Sequence, residues 1–265
     1  MGTVTLREAL THSLNVATVK VAELVGFGRV VEIARRMGLD PAMQPTPALA
    51  LGAYEMTPMQ VAGGYTAFAN GGRRAEPMFI RTVGSADGTV QEKDLPKTRQ
   101  VLDPRVTYLV TNVMEDVINR GTGASVRAMG FTAPAAGKTG TSKDGWFAGY
   151  TSNLLCVVWV GFDDNRDLGL AGGSSAAPIW AEFMKRAVTL PAYSDTDTFA
   201  QPAGIVTVRI DSETLQLATP DCPVTRDEVF IEGTQPTQYC QKHGGTAEKV
   251  GNWFLRLFGK KKNAP

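Results

Sequence analysis

A chain of 265 residues, 43% hydrophobic and 20% charged, is long and apolar enough to bury a core and to fold as one medium domain with a small appendage, which excludes a disordered protein. Lys and Arg number 27 against 26 Asp and Glu, so global charge argues for neither nucleic acid nor an acidic partner. No window approaches the ~20 consecutive apolar residues of a membrane span, and the opening MGTVTLREAL has no charged-then-apolar export signal.

Thr5 and Glu8 form a T-x-x-E capping box that opens a short helix ending near His12. Asn15 is suited to cap the next helix, Val16 to Val25, which Gly26 stops, so Ser13, Leu14 and Asn15 sit on a tight helix-to-helix corner. A third helix is expected from Arg29 to Met37, closed by Gly38 in the left-handed conformation. Thr57, Pro58 and Gln60 combine a cap, a first-turn proline and a capping-box partner, which predicts a helix to about Asn70. The run FIRTVGSADGTVQEK holds two β-like stretches around Asp87 and Gly88, a hairpin signal.

Asp103 and Pro104 start a longer helix that ends near Arg120, before Gly121 and Gly123. Three strand-like runs follow, Ala136 to Thr141, Trp146 to Thr151 and Leu154 to Phe162, with connections short enough for an antiparallel meander. The stretch Ala177 to Val188, with Ile179, Trp180, Phe183, Met184 and Val188 roughly on one stripe, reads as an amphipathic helix laid on that sheet. The fold class is therefore α+β, helices on a mostly antiparallel sheet. A polar, proline-bearing linker is expected over 190–203, then a small β-rich extension over 204–245 whose hairpin joins Ile205–Ile210 to Thr214–Ala218, then a tail over 246–265. No internal repeat is evident.

The segment AAGKTGTSKDGWFAG, Ala135 to Gly149, contains GKT and so raises a phosphate-binding loop. That loop needs a glycine where Thr132 stands, Pro134 removes a donor from the cradle, and the strand-like WFAGYTSNLLCVVWVGF replaces the helix that should follow. Two polar clusters fit acyl transfer better. A hydroxyl and an amide on a rigid corner, Ser13 and Asn15, can relay a proton and hold a substrate amide, while Lys138, Thr139 and Thr141 along a strand edge can bind a carboxylate. Gly140 between them lets a substrate backbone approach closely.

Of three cysteines, Cys156 lies in an apolar strand pattern and reads as a small buried hydrophobe. Cys222 and Cys240 flank a turn-rich segment and suggest a disulfide, hence an oxidising compartment. His243 follows Cys240 at metal-like spacing, but three ligands from one short segment make a weak zinc signal, and neither a metal nor a cofactor is expected. Asp163, Asp164 and Asn165 follow a strand directly and read as a turn. His12 reads as a surface histidine, since adjacent residues on a corner point apart. The run NWFLRLFGKKK, Asn252 to Lys262, reads as a frayed tail rather than a membrane-grazing segment.

The order of S-L-N at Ser13, ALGAYEMTPMQVAGGYTAFANGG at Ala50, RGTGA at Arg120, GKTGTS, WFAGYT and VWVGFDDN resembles the transpeptidase domain of class A (bifunctional, 1A-type) penicillin-binding proteins. The resemblance covers Gly2 to about Val188, and GTQPTQYC resembles their C-terminal extension. It implies a serine β-lactamase-like fold, an antiparallel sheet with helices on both faces, incomplete at the N-terminus. It also implies three motifs, S-x-x-K, S-x-N and K-[ST]-G. Ser13 and Asn15 would be the second and Lys138, Thr139 and Gly140 the third, with Thr141 offering an oxyanion-hole N–H. These assign Ser13, Asn15 and Lys138 to catalysis and Thr139, Gly140 and Thr141 to substrate binding. A serine β-lactamase shares the motif logic, but the AYEMTPMQVAGGYTAFANGG segment and the C-terminal extension fit it poorly.

No serine of the sequence has a lysine three places on; the nearest approach is Thr246 with Lys249. In the family this motif lies upstream of the segment resembling VTLREALTHSLN, and its serine is the acylated nucleophile. The chain by itself is thus expected to keep the carboxylate-binding edge without forming an acyl-enzyme. The resemblance further implies an N-terminal membrane anchor and a glycosyltransferase domain, both outside this sequence, which reads as a gene fragment or a misplaced start. The intact parent would act at the outer face of the bacterial inner membrane, on peptidoglycan stem peptides and β-lactams and beside cell-wall synthesis proteins. The second reading is a non-catalytic module that recognises peptidoglycan or a partner. Without the nucleophile's partner helix, some apolar faces of the sheet are expected to lie open.

Overall fold

The computed structural model describes residues 2–39 and 42–243, and the chain divides into two units, Met1–Gln201 and Pro202–Pro265. The expected tail, with Asn252 to Lys262, lies outside the described residues.

The first unit begins with α1 (Leu6–Thr11), where the Thr5 hydroxyl accepts the Glu8 amide. Ser13 then takes a left-handed conformation with φ of 53°, and the Leu14 amide returns to the Ala9 carbonyl at 2.8 Å. So sharp a turn starts α2 (Asn15–Val25) one residue earlier than expected. Asn15 is the first helical residue, and Leu14 occupies the cap position with no side-chain bond. Next come α3 (Phe27–Arg36), closed by Gly38 at φ +80°, and α4 (Pro58–Ala69), whose Thr57–Gln60 capping box is complete. Strands β1 (Arg73–Ala75) and β4 (Thr98–Gln100) pair around the hairpin of β2 (Thr82–Gly84) and β3 (Val90–Lys93). Gly88 at φ +87° supplies the turn that the Asp87–Gly88 pair predicted.

Helix α5 (Pro104–Asn119) starts at the Asp103 cap, and the short α6 (Ser125–Ala128) leads into the meander. Strands β5 (Ala136–Thr141), β6 (Gly145–Tyr150) and β7 (Leu155–Val160) are antiparallel in that order, with Lys138 opposite Ala148 and Ala148 opposite Val157. Helix α7 (Ala176–Ala187) covers one face, where Phe147 packs edge-on against Trp180 with 5.2 Å between ring centroids. The Trp180 indole N–H donates to the carbonyls of Gly149 and Cys156. On the other face Tyr150 and Ala136 pack with Met114 of α5 and Tyr65 and Phe68 of α4. This is period-2 alternation along each strand, so the sheet carries helices on both faces.

One sequence expectation fails at the level of packing. The buried stripe of α7 is Ala177, Trp180, Ala181, Met184 and Ala187, whereas Ile179 and Phe183 are each 51% exposed. At 100° per residue these two lie beside the stripe rather than on it, and with Leu154, Leu190 and Tyr193 they line a shallow groove. Open apolar surface falls on the first two helices, where Leu6 of α1 and Val16 and Leu24 of α2 are exposed, and on the sheet at Trp159 of β7, 38% exposed, while Phe147 and Tyr150 are fully buried.

In the second unit β8 (Ile205–Asp211) pairs antiparallel with β9 (Thr225–Ile231), from Ile205 opposite Ile231 to Asp211 opposite Thr225. The expected partner, Thr214–Ala218, is not a strand. Asp211 Oδ1 accepts the amides of Glu213 and Thr214, and Leu215 takes φ of 60°, so the chain turns where a ladder would need extended backbone. The segment still returns along the end of β8, where Leu217 bridges Ile210 antiparallel and the Asp211 and Ala218 amides donate to the Gln216 and Arg209 carbonyls at 2.9 Å, and Leu217 also bridges Tyr239.

Candidate active site

The candidate site is assembled by docking the α1–α2 corner onto the end of β5. Arg7, largely buried, donates to Asp116 Oδ2 at 2.9 Å and to Asn112 Oδ1 at 2.7 Å on α5. Glu8 meets Arg120 at 2.7 Å, and the Thr122 amide donates to the Thr11 carbonyl at 3.3 Å. Because α5 packs along β5, these contacts hold the corner over the strand. Gly121 permits the closest of them, since a Cβ there would overlap the Thr11 carbonyl oxygen.

At this junction the Lys138 ammonium donates to Ser13 Oγ at 2.8 Å and to the Thr139 carbonyl at 2.7 Å. Burial lowers the Lys138 pKa from 10.5 to about 8, because its charge is partly removed from water. Among the described residues no carboxylate pairs with it. A desolvated lysine held on a hydroxyl without a counter-ion is arranged for proton exchange and for receiving an anion. Asn15 stands at the exposed start of α2, two residues beyond Ser13.

The Lys138, Thr139 and Thr141 side chains do not share one face. Strand alternation sets Lys138 with Ala136 on one side and the two threonines on the side of α7. The Thr139 hydroxyl, mostly buried, lies 2.6 Å from that of Thr122, and Thr141 Oγ1 accepts the Gly172 amide at 3.0 Å. Two hydroxyls joined by one hydrogen bond have two protons between them, so the Thr122–Thr139 pair keeps one for a further acceptor. The strand β5 ends its sheet, so a ligand along its outer edge meets the lysine from one side and the threonines from the other. Gly140 keeps the inner side tight, since a Cβ there would press on Trp146 at 3.1 Å.

Thr122 is a site residue that local sequence does not identify. The signal was present in RGTGA, where a threonine stands between two glycines, but its partner Thr139 is named only by the fold. Nor does local sequence identify Arg7, whose partners lie more than a hundred positions away. His12, read as a surface histidine, is 43% exposed and pairs with Glu8 at 3.2 Å. Asp163 to Asn165 form a turn, with Asn165 at φ 58°. Cys156 packs beside the α7-face core, and burial raises its thiol pKa to about 11. Cys222 and Cys240, in the second unit, are free thiols.

Comparison with known proteins bears on most of the chain. The family described as penicillin binding protein transpeptidase domain matches residues 1–185, and that described as penicillin-binding protein 1A, C-terminal domain, matches residues 201–245. A penicillin-binding protein 1A of Aquifex aeolicus is 37% identical over 244 residues, 90% of this chain and 33% of the relative. One of Pseudomonas aeruginosa is 33% identical over 294 residues, 89% of this chain and 35% of the relative. The chain thus spans about a third of the length of these relatives. A crystal structure of penicillin-binding protein 1A from Haemophilus influenzae aligns with a TM-score of 0.81 at 28% identity, covering 89% of this chain and 41% of that one.

Proposed function

The chain belongs to the penicillin-binding protein transpeptidase family, and on that premise we propose that it supplies the carboxylate-binding and proton-relay half of an acyl-transfer site. The observation that carries this reading is the 2.8 Å contact from Lys138 Nζ to Ser13 Oγ, made by a lysine without a carboxylate partner. In the proposed reaction of the intact parent, a serine nucleophile attacks the penultimate carbonyl of a D-alanyl-D-alanine stem peptide. The terminal D-alanine leaves as an amine that takes a proton through Ser13 and Lys138, and the acyl group then passes to an amine of a neighbouring strand. Asn15 holds the substrate amide, and Lys138 with the hydroxyls of Thr139 and Thr141 holds the terminal carboxylate. The Thr141 N–H faces the developing oxyanion. β-Lactams carry a carboxylate in the corresponding place and occupy the same edge.

The nucleophile in this scheme belongs to an S-x-x-K motif, which these 265 residues do not contain. The chain by itself therefore binds without acylating. In the parent the site works at the outer face of the inner membrane, and among the described residues no helix is long and apolar enough to cross a membrane. The test is a labelled penicillin incubated with the purified chain. Saturable binding that is lost on denaturation and weakened by Lys138→Met is expected. Label retained after denaturation overturns the non-acylating reading, and no saturable binding overturns the carboxylate edge.

A further inference from the structure

The second unit brings together four side chains that the acyl-transfer reading does not use. One ligand-capable atom from each of Asp211, Cys222, Cys240 and His243 lies within 4.8 Å of all the others. They come from different parts of the unit: Asp211 ends β8, Cys222 lies in the loop before β9, and Cys240 and His243 follow β9. The backbone fixes this convergence, because Leu217 bridges both Ile210 and Tyr239 and its carbonyl accepts the Cys240 amide at 2.9 Å. We propose that Asp211, Cys222, Cys240 and His243 form a structural zinc site.

The separations around His243 suit one ion shared by the four. His243 Nδ1 is 3.0 Å from Asp211 Oδ2 and 3.4 Å from Cys240 Sγ. A tetrahedral zinc, with bonds of about 2.3 Å to sulfur and about 2.0 Å to nitrogen or oxygen, sets a nitrogen–oxygen pair about 3.3 Å apart and a sulfur–nitrogen pair about 3.5 Å apart. The observed pairs need to open by only a few tenths of an ångström.

The groups behind the four are placed as supports for metal ligands. Asp211 is 1% exposed, and its Oδ1 is occupied by the amides of Glu213 and Thr214 and by the Thr214 hydroxyl, which leaves Oδ2 for the centre. His243 Nε2 stands 3.4 Å from Glu213 Oε2, so a proton held on Nε2 leaves the Nδ1 lone pair facing the centre. The Thr219 amide donates to Cys222 Sγ at 3.3 Å. A disulfide would use the two sulfurs and give no role to the support around Asp211 and His243, whereas a metal uses every one of these contacts. The unit also needs a staple: among its described residues the buried apolar side chains are Ile205, Ile210 and Cys240, too few for an independent core.

The experiment uses the full chain, purified with a reductant that does not bind metal. Elemental analysis is expected to find one zinc per chain. Replacement by Co2+ is expected to give a thiolate-to-cobalt charge-transfer band and intense tetrahedral d–d bands, both lost in Asp211→Asn and in Cys240→Ser. Independently of any variant, zinc should slow alkylation of Cys222 and Cys240 at least tenfold in the native chain, and a chelator should abolish that protection. Absence of the charge-transfer band, alkylation rates indifferent to zinc, or metal-free protein whose non-reduced peptides show Cys222 joined to Cys240 overturns the proposal.

Discussion

Lys138 Nζ reaches Ser13 Oγ at 2.8 Å across 125 positions of sequence, joining a helix corner to a strand end. Neither partner is placed by its own element alone. Ser13 sits at φ 53° because two helices meet with almost no connecting chain, and that corner is held over β5 through Arg7, Glu8 and Thr11. The candidate chemistry therefore rests on the packing of α1 against α5.

Arg7→Ala is expected to loosen this junction. The side chain is 9% exposed and bonds both Asp116 and Asn112, so its loss strands partners chosen for a cation. Breaking a buried ion pair costs about 3–5 kcal/mol, and the lower end applies here because Asp116 keeps Arg120 at 2.9 Å. A urea titration should show the midpoint falling with little change in slope. An unchanged midpoint would mean that the α1–α5 contact contributes nothing to folding.

Thr122→Val separates stability from binding. Its hydroxyl lies 2.6 Å from that of Thr139, so removal is expected to cost about 1 kcal/mol, the usual net worth of one hydrogen bond. If the pair offers its spare proton to a carboxylate, Thr139→Val should weaken non-covalent penicillin binding about tenfold, or ~1.4 kcal/mol, and Thr122→Val less, since Thr139 still carries its own donor. Equilibrium dialysis with labelled penicillin decides this. Equal affinity in both variants and the parent chain would remove Thr139 from the binding edge.

Much of the framework was legible because its signals are local. The Thr57–Gln60 capping box, the Asp103–Pro104 start and the Asp87–Gly88 turn each determine a short stretch of backbone from residues within four positions, and all three appear where the sequence puts them. The β5–β7 meander was readable from its aromatic and β-branched runs. What was not legible depends on distant partners. Thr122 gains its place only when the 120–124 turn meets β5, and Ile179 and Phe183 are apolar residues that α7 holds beside its buried stripe. The long ladder of β8 is with β9, while Thr214–Ala218, strand-like in composition, meets β8 only at its end through the Ile210–Leu217 bridge, since the Asp211 carboxylate captures the Glu213 and Thr214 amides and turns the chain. Composition does not register that competition.

Gly121→Ala tests the turn that carries Thr122. A methyl group at this position would overlap the Thr11 carbonyl oxygen, and backbone cannot step aside as a side-chain tip can. Overpacking of this kind costs about 1–3 kcal/mol. The Thr122 amide bond to Thr11 should open with it, so hydrogen exchange at Thr122 should accelerate while that in β8 stays as in the parent chain. Native-state exchange with mass-spectrometric readout checks both, and an unaltered Thr122 rate would show that the turn tolerates the methyl.

Lys138 should leave a signature in stability against pH. Its pKa is lowered from 10.5 to about 8 by burial, so between those values the unfolded chain binds more protons than the folded one. Stability then rises with pH across that window, and the penalty of burying the charge is fully present below about pH 8. The shift corresponds to on the order of 3 kcal/mol. Lys138→Met removes the titration, so the variant should lack this rise and should gain on the parent chain at neutral pH, less whatever the bonds to Ser13 and Thr139 contribute. Lysines and tyrosines elsewhere also titrate in alkali, but they are common to both proteins and cancel in the difference. Urea unfolding of the pair at a series of pH values measures that difference directly, and a difference flat from neutral pH to 10.5 would mean that Lys138 keeps an ordinary pKa in the folded chain.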